Sequence, residues 1–194
     1  MARPSAIEFD VAGGAAVRAE LVVPRHQSGR APAVIFAHGG APDPKAFRSE
    51  ALELGRHGLA SIAPDLPITM TGNVETDIVF VRRAIIIERR ALDVLVARPD
   101  VDAGRIGFVG HSLGCRPGRD HGWRRTAPGR GGHRLRLEPD FGRTDPNIPE
   151  AQRTELTRST AGSVRRIDYD FGHDLVNFGP ARADRLNFLE SRLA

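Results

Sequence analysis

The sequence predicts an α/β fold, a mostly parallel sheet with helices on both faces. Strand-like and helix-like stretches follow one another in the order β-β-β-α-β-α-β up to residue 110, an alternation typical of this fold class. The third strand-like stretch, APAVIFA at residues 31–37, is continuously apolar, as expected of a strand buried on both faces. The two helical stretches each have an apolar face that would cover the sheet.

Four stretches predict the strands that precede the last helix of this series. Residues 6–11 and 15–24 hold β-forming residues on either side of a turn-like Ala-Gly-Gly, which predicts two paired strands. Residues 31–40 form the buried strand and end in a glycine pair, and residues 59–67 form the next strand and end in prolines. These strands supply most of the predicted sheet.

Two amphipathic helices are predicted, at residues 44–58 and at residues 75–98, and the first ends at Gly58. In each, apolar side chains recur every three or four positions, so one side of the helix would be buried. The apolar positions are Phe47, Ala51, Leu52 and Leu54 in the first helix, and Ile78, Val81, Ile85, Ile86, Leu92, Leu95 and Val96 in the second.

Length and composition indicate an ordinary globular protein with a single domain over residues 1–194, of which 40% are hydrophobic and 27% charged. The N-terminal sequence MARPSAIEFD lacks the apolar core of a signal peptide, and arginines interrupt the longest apolar stretches. We therefore expect a cytoplasmic protein that does not enter a membrane. Cys115 is the only cysteine, so no internal disulfide is possible and no metal-site spacing is present. Nothing in the sequence indicates an oligomeric state.

Residues 115–140 have no pattern of a buried element. They contain no Val, Ile, Phe, Met or Tyr, and their seven arginines against three acidic residues account for the whole formal net charge of +4. We expect this segment to be loop-like or poorly packed, and the sheet to be incomplete or disrupted after residue 114.

Recognisable patterns return after this segment. Residues 141–149 predict a loop, followed by a helix that begins at Pro149 and Glu150 and a strand at residues 163–171. A terminal helix is predicted at residues 179–194. Its apolar face would consist of Ala183, Leu186, Leu189 and Leu193.

A G-x-S-x-G motif, Gly110-His111-Ser112-Leu113-Gly114, ends the apolar strand predicted at residues 106–110, which follows a loop predicted at residues 99–105. A serine at a tight turn between a strand and a helix has strained backbone, and small residues two positions before and after it avoid clashes. Such a turn presents the hydroxyl as a nucleophile. The alternative is a structural glycine turn.

A nucleophilic serine needs a base, and the base needs a carboxylate to orient it. His173 lies between the last predicted strand and the terminal helix, and Asp145 lies at a turn upstream of it. Taken singly, His173 is read as a surface histidine and Asp145 as an ordinary turn residue. With Ser112 they run in the order Ser, Asp, His, which accompanies the G-x-S-x-G turn in one fold.

The tripeptide His38-Gly39-Gly40 follows the buried strand at residues 31–37. A loop at this place can supply one backbone N–H to an oxyanion, and the residue after the nucleophile supplies the other. Gly40 and Leu113 are the candidate donors. The alternative is an ordinary turn between a strand and a loop.

Five stretches resemble landmarks of the α/β-hydrolase superfamily, in its dienelactone-hydrolase-like and acyl-esterase branch: PAVIFAHGG, LASIAPDLP, RALDVLVARPDVDAGRIGFVGHSLG, GRTDPNIP and YDFGHDL. The resemblance covers residues 7–114 and 141–194. It implies an α/β-hydrolase-fold enzyme that hydrolyses small-molecule carboxylic esters, without a metal or an organic cofactor. Its nucleophile would be Ser112, its base His173 and its orienting acid Asp145.

The chain departs from this superfamily in two respects. Dienelactone hydrolases proper have a cysteine where this chain has Ser112, and Cys115, three positions later, is read as a bystander. In the superfamily a helix and two further parallel strands separate the nucleophile from the acid. Here only 33 positions separate Ser112 from Asp145, and most of them lack a core pattern.

Three explanations of the anomalous segment remain open. The first is translation in a wrong reading frame between two compensating shifts in a GC-rich gene. The composition favours a GC-rich gene, because Lys45 is the one lysine among 28 Lys and Arg residues. The second is a genuine insertion that forms an exposed basic loop. The third is a nucleic-acid-binding arm at residues 116–136, which we disfavour because Trp123 is its only aromatic residue. A catalytically inactive relative of the hydrolases is a further alternative.

The reading-frame hypothesis makes a direct prediction about the gene. Translation of the neighbouring frames across residues 115–140 should yield a small-residue helix and a strand rich in Val and Ile. Nucleotide sequencing of this segment tests it, and the hypothesis is wrong if neither frame contains those patterns.

Overall fold

The computed structural model describes residues 3–14, 16–25, 28–40, 45–67, 69, 71–115, 140–146, 148–158 and 166–193. The chain divides into two compact units, the first formed by residues 1–133 together with Leu193 and the second by the remaining residues. The segment predicted to be loop-like or poorly packed lies outside the described residues, except at its two ends. The single domain expected from the chain length stays a prediction.

The described part of the first unit contains five strands, two α-helices and one turn of 3₁₀-helix. The strands are β1 (Arg3–Phe9), β2 (Val17–Val23), β3 (Ala31–Ala37), β4 (Ala60–Pro64) and β5 (Val101–Gly110). The helices are α1 (Arg48–Arg56), α2 (Val74–Val96) and the 3₁₀ turn Ser112–Cys115.

The five strands form one sheet in the order β1-β2-β4-β3-β5. Strand β2 is antiparallel to both of its neighbours, whereas β3 pairs in parallel with β4 and β5. Four of the five strands therefore run in the same direction, and α1 and α2 provide the crossovers between parallel strands. The mostly parallel α/β sheet predicted from the sequence is confirmed.

Strand β3 carries the packing on both faces of this sheet, and all seven of its residues are buried. Because side chains alternate along a strand, Ala33 and Ile35 point to the face where they join an apolar cluster with Ile87 of α2. On the opposite face Phe36 stacks on Phe47, just before α1, with ring centroids 4.7 Å apart. The two helices thus cover opposite faces of β3.

Helix α1 matches the predicted apolar pattern closely. Phe47, Ala51 and Leu54 are buried, and the turn after the helix contains Gly58 with φ of 84°. That left-handed conformation favours glycine because it has no Cβ, so the predicted stop signal works as expected.

Helix α2 exists as predicted, but the face that it buries is different. The buried positions centre on the small residues Ala84 and Ala91, while Ile78 and Ile86 are 44% and 43% exposed. Val96 is also exposed. The buried face combines these alanines with Ile85, Ile87 and Leu95, of which Ile85 and Leu95 were predicted. The prediction of Ile78, Ile86 and Val96 as core positions was wrong.

Strand β5 begins earlier than predicted. Residues 101–105 were expected in a loop, yet Val101 already pairs with Ala31, and the next pair joins Ala33 to Ile106. The intervening residues form an irregularity in the ladder, in which the Asp102 carboxylate accepts the Gly104 N–H at 2.9 Å. The Asp and Gly turn signals thus mark a bulge within a strand.

Two short strands and two helices lie in the described residues of the second unit: β6 (Asp140–Gly142), α3 (Glu150–Arg158), β7 (Ile167–Tyr169) and α4 (Gly179–Leu193). Strands β6 and β7 pair in parallel. Helices α3 and α4 are confirmed. Strand β7 is shorter than the predicted strand at residues 163–171, of which residues 163–165 lie outside the described part.

Two predictions in this second unit need correction. Residues 141 and 142 were expected in a loop but belong to β6, which is too short for sequence periodicity to reveal. In α4, Leu189 and Leu193 are buried as predicted, but Ala183 is exposed and Ala181 is buried in its place.

None of the helices in the described part of the chain combines the length and the apolar character that a membrane span requires.

Glu88 is a polar residue in an apolar setting. Its side chain lies on the buried face of α2 with 0% exposure, and neither carboxyl oxygen has a hydrogen-bond partner among the described residues. Burial raises the pKa of Glu88 to about 9, because the charged form loses its hydration. The carboxyl group is therefore neutral in the folded protein at neutral pH.

This raised pKa predicts a pH-dependent stability. The unfolded chain releases the Glu88 proton above about 4.5, whereas the folded protein keeps it up to about 9. Between these values the free energy of unfolding should fall by about 1.4 kcal/mol per pH unit through this group. Glu88→Gln, which is neutral at every pH, should remove that slope in urea unfolding measured across this pH range.

A matched control is Glu75→Gln, in the exposed first turn of the same helix. It should leave the pH profile as in the wild type. The same slope in Glu88→Gln and in the wild type would contradict the assignment.

Candidate active site

The G-x-S-x-G motif forms a strained turn at the end of β5. Ser112 has φ of 53° and is the one non-glycine residue in the described ranges with a positive φ. A left-handed conformation costs a non-glycine residue about 1 kcal/mol or more. Hydrogen bonds hold the turn, since His111 N–H donates to the Ala37 carbonyl at 3.0 Å and Gly114 N–H to the His111 carbonyl at 2.9 Å.

The last glycine of the motif is required by space. A Cβ at Gly114 would overlap the Ala37 carbonyl oxygen and lie 2.6 Å from the His38 carbonyl oxygen. These are backbone atoms of β3 and the residue after it, which cannot move aside as a flexible side chain could. Gly110, at the start of the motif, pairs with Ala37 as the last pair of the β3–β5 ladder.

The loop after β3 lies directly against the serine turn. A Cβ at Gly39 would come within 3.0 Å of the Ser112 Cβ and 3.4 Å of the His111 carbonyl oxygen. The ends of β3 and β5 meet because the two strands are parallel neighbours. The two candidate oxyanion donors, Gly40 and Leu113, thus belong to adjacent turns at one sheet edge, and their convergence on one oxygen stays a prediction.

His38 has a defined structural role that the sequence did not indicate. It is buried, and its Nε2 accepts the Leu66 backbone N–H at 2.9 Å. Since Nε2 acts as an acceptor, the neutral ring carries its proton on Nδ1, which donates to the Gly39 carbonyl at 2.9 Å. The ring therefore ties the loop after β3 to the loop after β4, 28 positions along the chain.

The second unit brings the other two predicted residues together. His173 Nδ1 donates to Asp145 Oδ2 at 2.7 Å, and the Asp145 carboxyl group is buried. This bond keeps the Nδ1 proton of the neutral ring in place and puts the lone pair on Nε2, the arrangement that a general base requires. His173 is partly exposed, at 30% of its side chain, so the ring is open to a reacting group.

Backbone hydrogen bonds fix the loops that carry this pair. Arg143 N–H donates to the Tyr169 carbonyl at 2.7 Å, and Thr144 N–H to the Phe171 carbonyl at 3.2 Å. They continue the β6–β7 ladder beyond the strands and keep the Asp145 turn beside the His173 loop. Asp145 and His173 thus belong to the second unit, whereas Ser112 belongs to the first, and the approach of its hydroxyl to the imidazole stays a prediction.

Within the described ranges, no three His, Cys, Asp or Glu side chains group as a metal site would require.

The fold and the order of its strands define the class: the chain has an α/β-hydrolase fold. Neither a protein-family model nor a curated protein matches the sequence. The structural similarity to solved esterases and dienelactone hydrolases is extensive, although the identities below 20% show the fold alone.

Three solved structures illustrate the similarity. A zinc-bound, cold-adapted esterase from an Arctic intertidal metagenomic library is 16% identical, with a TM-score of 0.75 over 100% of this chain and 95% of that chain. Thermogutta terrifontis esterase 2, phosphoramylated by tabun, is 13% identical, with a TM-score of 0.74 over 97% and 92%. A dienelactone hydrolase from Anabaena variabilis is 19% identical, with a TM-score of 0.68 over 98% and 96%.

The contact at Gly114 predicts a large cost for a small change. Gly114→Ala should lower the free energy of unfolding by about 2 kcal/mol or more, since the added methyl group must displace backbone of β3. Urea unfolding followed by circular dichroism measures it. Gly179→Ala is the matched control, because a Cβ there meets nothing within 4 Å and alanine favours the helix that begins at this position. Equal stability of Gly114→Ala and the wild type would contradict the close contact.

Proposed function

We propose that the protein is a serine hydrolase of small carboxylic esters that works through an acyl-enzyme. The observation that carries the proposal is the 2.7 Å hydrogen bond between His173 and the buried Asp145, in a chain that also holds Ser112 at a strained turn between a strand and a helix. A structural glycine turn or a surface histidine needs neither feature. Ser112 is the proposed nucleophile, His173 the base and Asp145 the orienting acid.

In the acylation half-reaction, Ser112 Oγ attacks the ester carbonyl carbon while His173 Nε2 removes the hydroxyl proton. The tetrahedral intermediate collapses and expels the alcohol, which takes that proton from the imidazolium. The acyl group is then bound to Ser112 Oγ. Asp145 stays ionised throughout and stabilises the imidazolium through its bond to Nδ1.

Deacylation repeats these steps with water as the nucleophile. His173 takes a proton from water, the resulting hydroxide attacks the acyl carbon, and the proton returns to Ser112 Oγ as the acid leaves. Backbone N–H groups of Gly40 and Leu113 would hold the oxyanion in both halves, each contributing about 3 kcal/mol to transition-state stabilisation. No step needs a metal or an organic cofactor.

The structural neighbours support an ester substrate. The similar solved proteins include two esterases and a dienelactone-hydrolase-like promiscuous phosphotriesterase. Hydrolysis of esters is the activity that these names share, and a serine nucleophile at the end of a parallel strand suits it. We further propose that the protein acts in the cytoplasm on a small-molecule ester and that neither nucleic acid nor membrane is a partner.

Removal of the Ser112 hydroxyl tests this function. Ser112→Ala should lower kcat/KM for p-nitrophenyl acetate by about 10³-fold or more, because no other group replaces the covalent step. Ser191→Ala, at an exposed position of α4, should retain wild-type activity. Hydrolysis at equal rates by Ser112→Ala and the wild type would reject the serine-hydrolase mechanism.

A covalent label gives a second readout of the same prediction. A fluorophosphonate should add its phosphonyl mass once to the wild type and to Ser191→Ala, and not to Ser112→Ala, as measured by intact-mass spectrometry. A wild type that neither turns over the ester nor takes the label would identify the inactive alternative.

A further inference from the structure

Arg153 has contacts that the proposed mechanism does not use. It lies in the first turn of α3, and its side chain is only 8% exposed, unusual for a residue with a permanent charge. A buried guanidinium must be paired and hydrogen-bonded, or its desolvation would destabilise the fold.

The guanidinium divides its donors between two kinds of acceptor. One edge, Nε and Nη2, donates to the Glu150 carboxylate at 3.1 and 2.8 Å. On the other side Nη1 donates to the backbone carbonyls of Gly142 at 2.7 Å and Arg143 at 3.3 Å. Arg153 thus links the start of α3 to the end of β6, two and three positions before Asp145.

The Gly142 carbonyl accepts a second hydrogen bond, from the Asp145 N–H at 3.3 Å. Gly142 itself packs on the backbone that leads to the base. A Cβ at Gly142 would overlap the carbonyl oxygens of Phe171 and Gly172 and lie 2.8 Å from the Gly172 carbonyl carbon. A movement of the Gly142 peptide would therefore disturb both partners of the Asp145–His173 bond.

A second arginine completes a cluster of four charged residues: Glu150, Arg153, Arg166 and Asp168. Arg166 Nη2 donates to Glu150 Oε2 and to Asp168 Oδ1, each at 2.8 Å. The hydrogen bonds from Arg166 and Arg153 lower the pKa of Glu150 to about 2, so the Glu150 carboxylate stays ionised at neutral pH. The two positive and two negative charges balance, which favours burial of the Arg153 guanidinium.

We propose that Arg153 is a positioning residue: its guanidinium clamps the Gly142–Arg143 peptides and thereby holds Asp145 at hydrogen-bond distance from His173. The catalytic role of Arg153 rests on the proposed function. The Asp145–His173 hydrogen bond that Arg153 would maintain can be observed without catalysis. Lysine cannot replace this clamp, because an ammonium group lacks the planar fork that reaches a carboxylate and two carbonyls at once.

The test compares Arg153→Met and Arg153→Lys with Arg158→Met. Arg158 forms the same kind of ion pair three positions from a glutamate on the same helix, at 3.2 Å from Glu155, but its side chain is exposed. All variants are first checked for folding by circular dichroism and by their urea midpoints. If Arg153→Met does not fold, Arg153→Lys, which keeps the positive charge in the cluster, decides the comparison.

The first readout needs no activity and is recorded in the Ser112→Ala background. A proton shared between an imidazole Nδ1 and a carboxylate gives a low-field proton NMR signal, which Asp145→Asn should abolish and so assign. We expect this signal in the parent and in Arg158→Met, and its loss or broadening in both Arg153 variants. An unchanged signal in folded Arg153 variants overturns the proposal, whether or not the protein is an esterase.

The second readout is kinetic and is taken in the otherwise wild-type chain. Loss of positioning should lower kcat for p-nitrophenyl acetate by about 10- to 100-fold and leave KM within about twofold, since the clamp touches no substrate. Arg158→Met should keep both constants. Full kcat in folded Arg153→Met would also overturn the clamp. A wild type without activity refutes the proposed function alone, since the NMR comparison still decides the role of Arg153.

Discussion

The parallel pairing of β3 with β5 is the constraint on which the first unit depends. The ladder runs from Ala33–Ile106 to Ala37–Gly110 without a break, so both strands end at the same level. The glycine loop after β3 therefore lies against the serine turn after β5. The Ala37 carbonyl accepts the His111 N–H and also excludes a side chain at Gly114. A slip of one residue in this register would separate the two turns.

In the second unit two loops are also held side by side, but with much less regular secondary structure. Strands β6 and β7 are only three residues long, too short to hold two loops by backbone pairing alone. Two further backbone bonds and the Arg153 guanidinium extend the connection toward Asp145. Beyond the end of the β-ladder, the Arg153 guanidinium thus supplies hydrogen bonds that the backbone does not. This accounts for the burial of a charged residue there.

Sequence periodicity predicted the elements whose pattern is long. The continuous apolar run of β3 and the helices α1 and α2 were found, because apolar side chains recur along each of them. The wrong details have local causes: the buried face of α2 includes Ala84 and Ala91 and leaves Ile78 and Ile86 exposed, and the Asp-Ala-Gly-Arg stretch of β5 has turn chemistry inside a strand. Three-residue strands such as β6 leave no period to detect.

The candidate site was predictable only where it is encoded by a motif. Ser112 could be found from its glycines, and Asp145 and His173 from their order, but His38 and Arg153 act through contacts with backbone atoms that no side-chain pattern reports. The partner of His38 is 28 positions away and that of Arg153 is 11. The one available signal, a glutamate three positions before Arg153, is equally present at Glu155 and Arg158, where it marks an exposed pair.

The strained backbone at Ser112 sets folding stability against the hydroxyl that the proposed mechanism requires. A φ of 53° is the conformation that glycine adopts without cost, so glycine at this position would relax the turn by about 1 kcal/mol. It would also delete the hydroxyl. Under the proposed mechanism the hydroxyl and the strain are therefore inseparable, because the one residue that would relax this turn has no side chain to react.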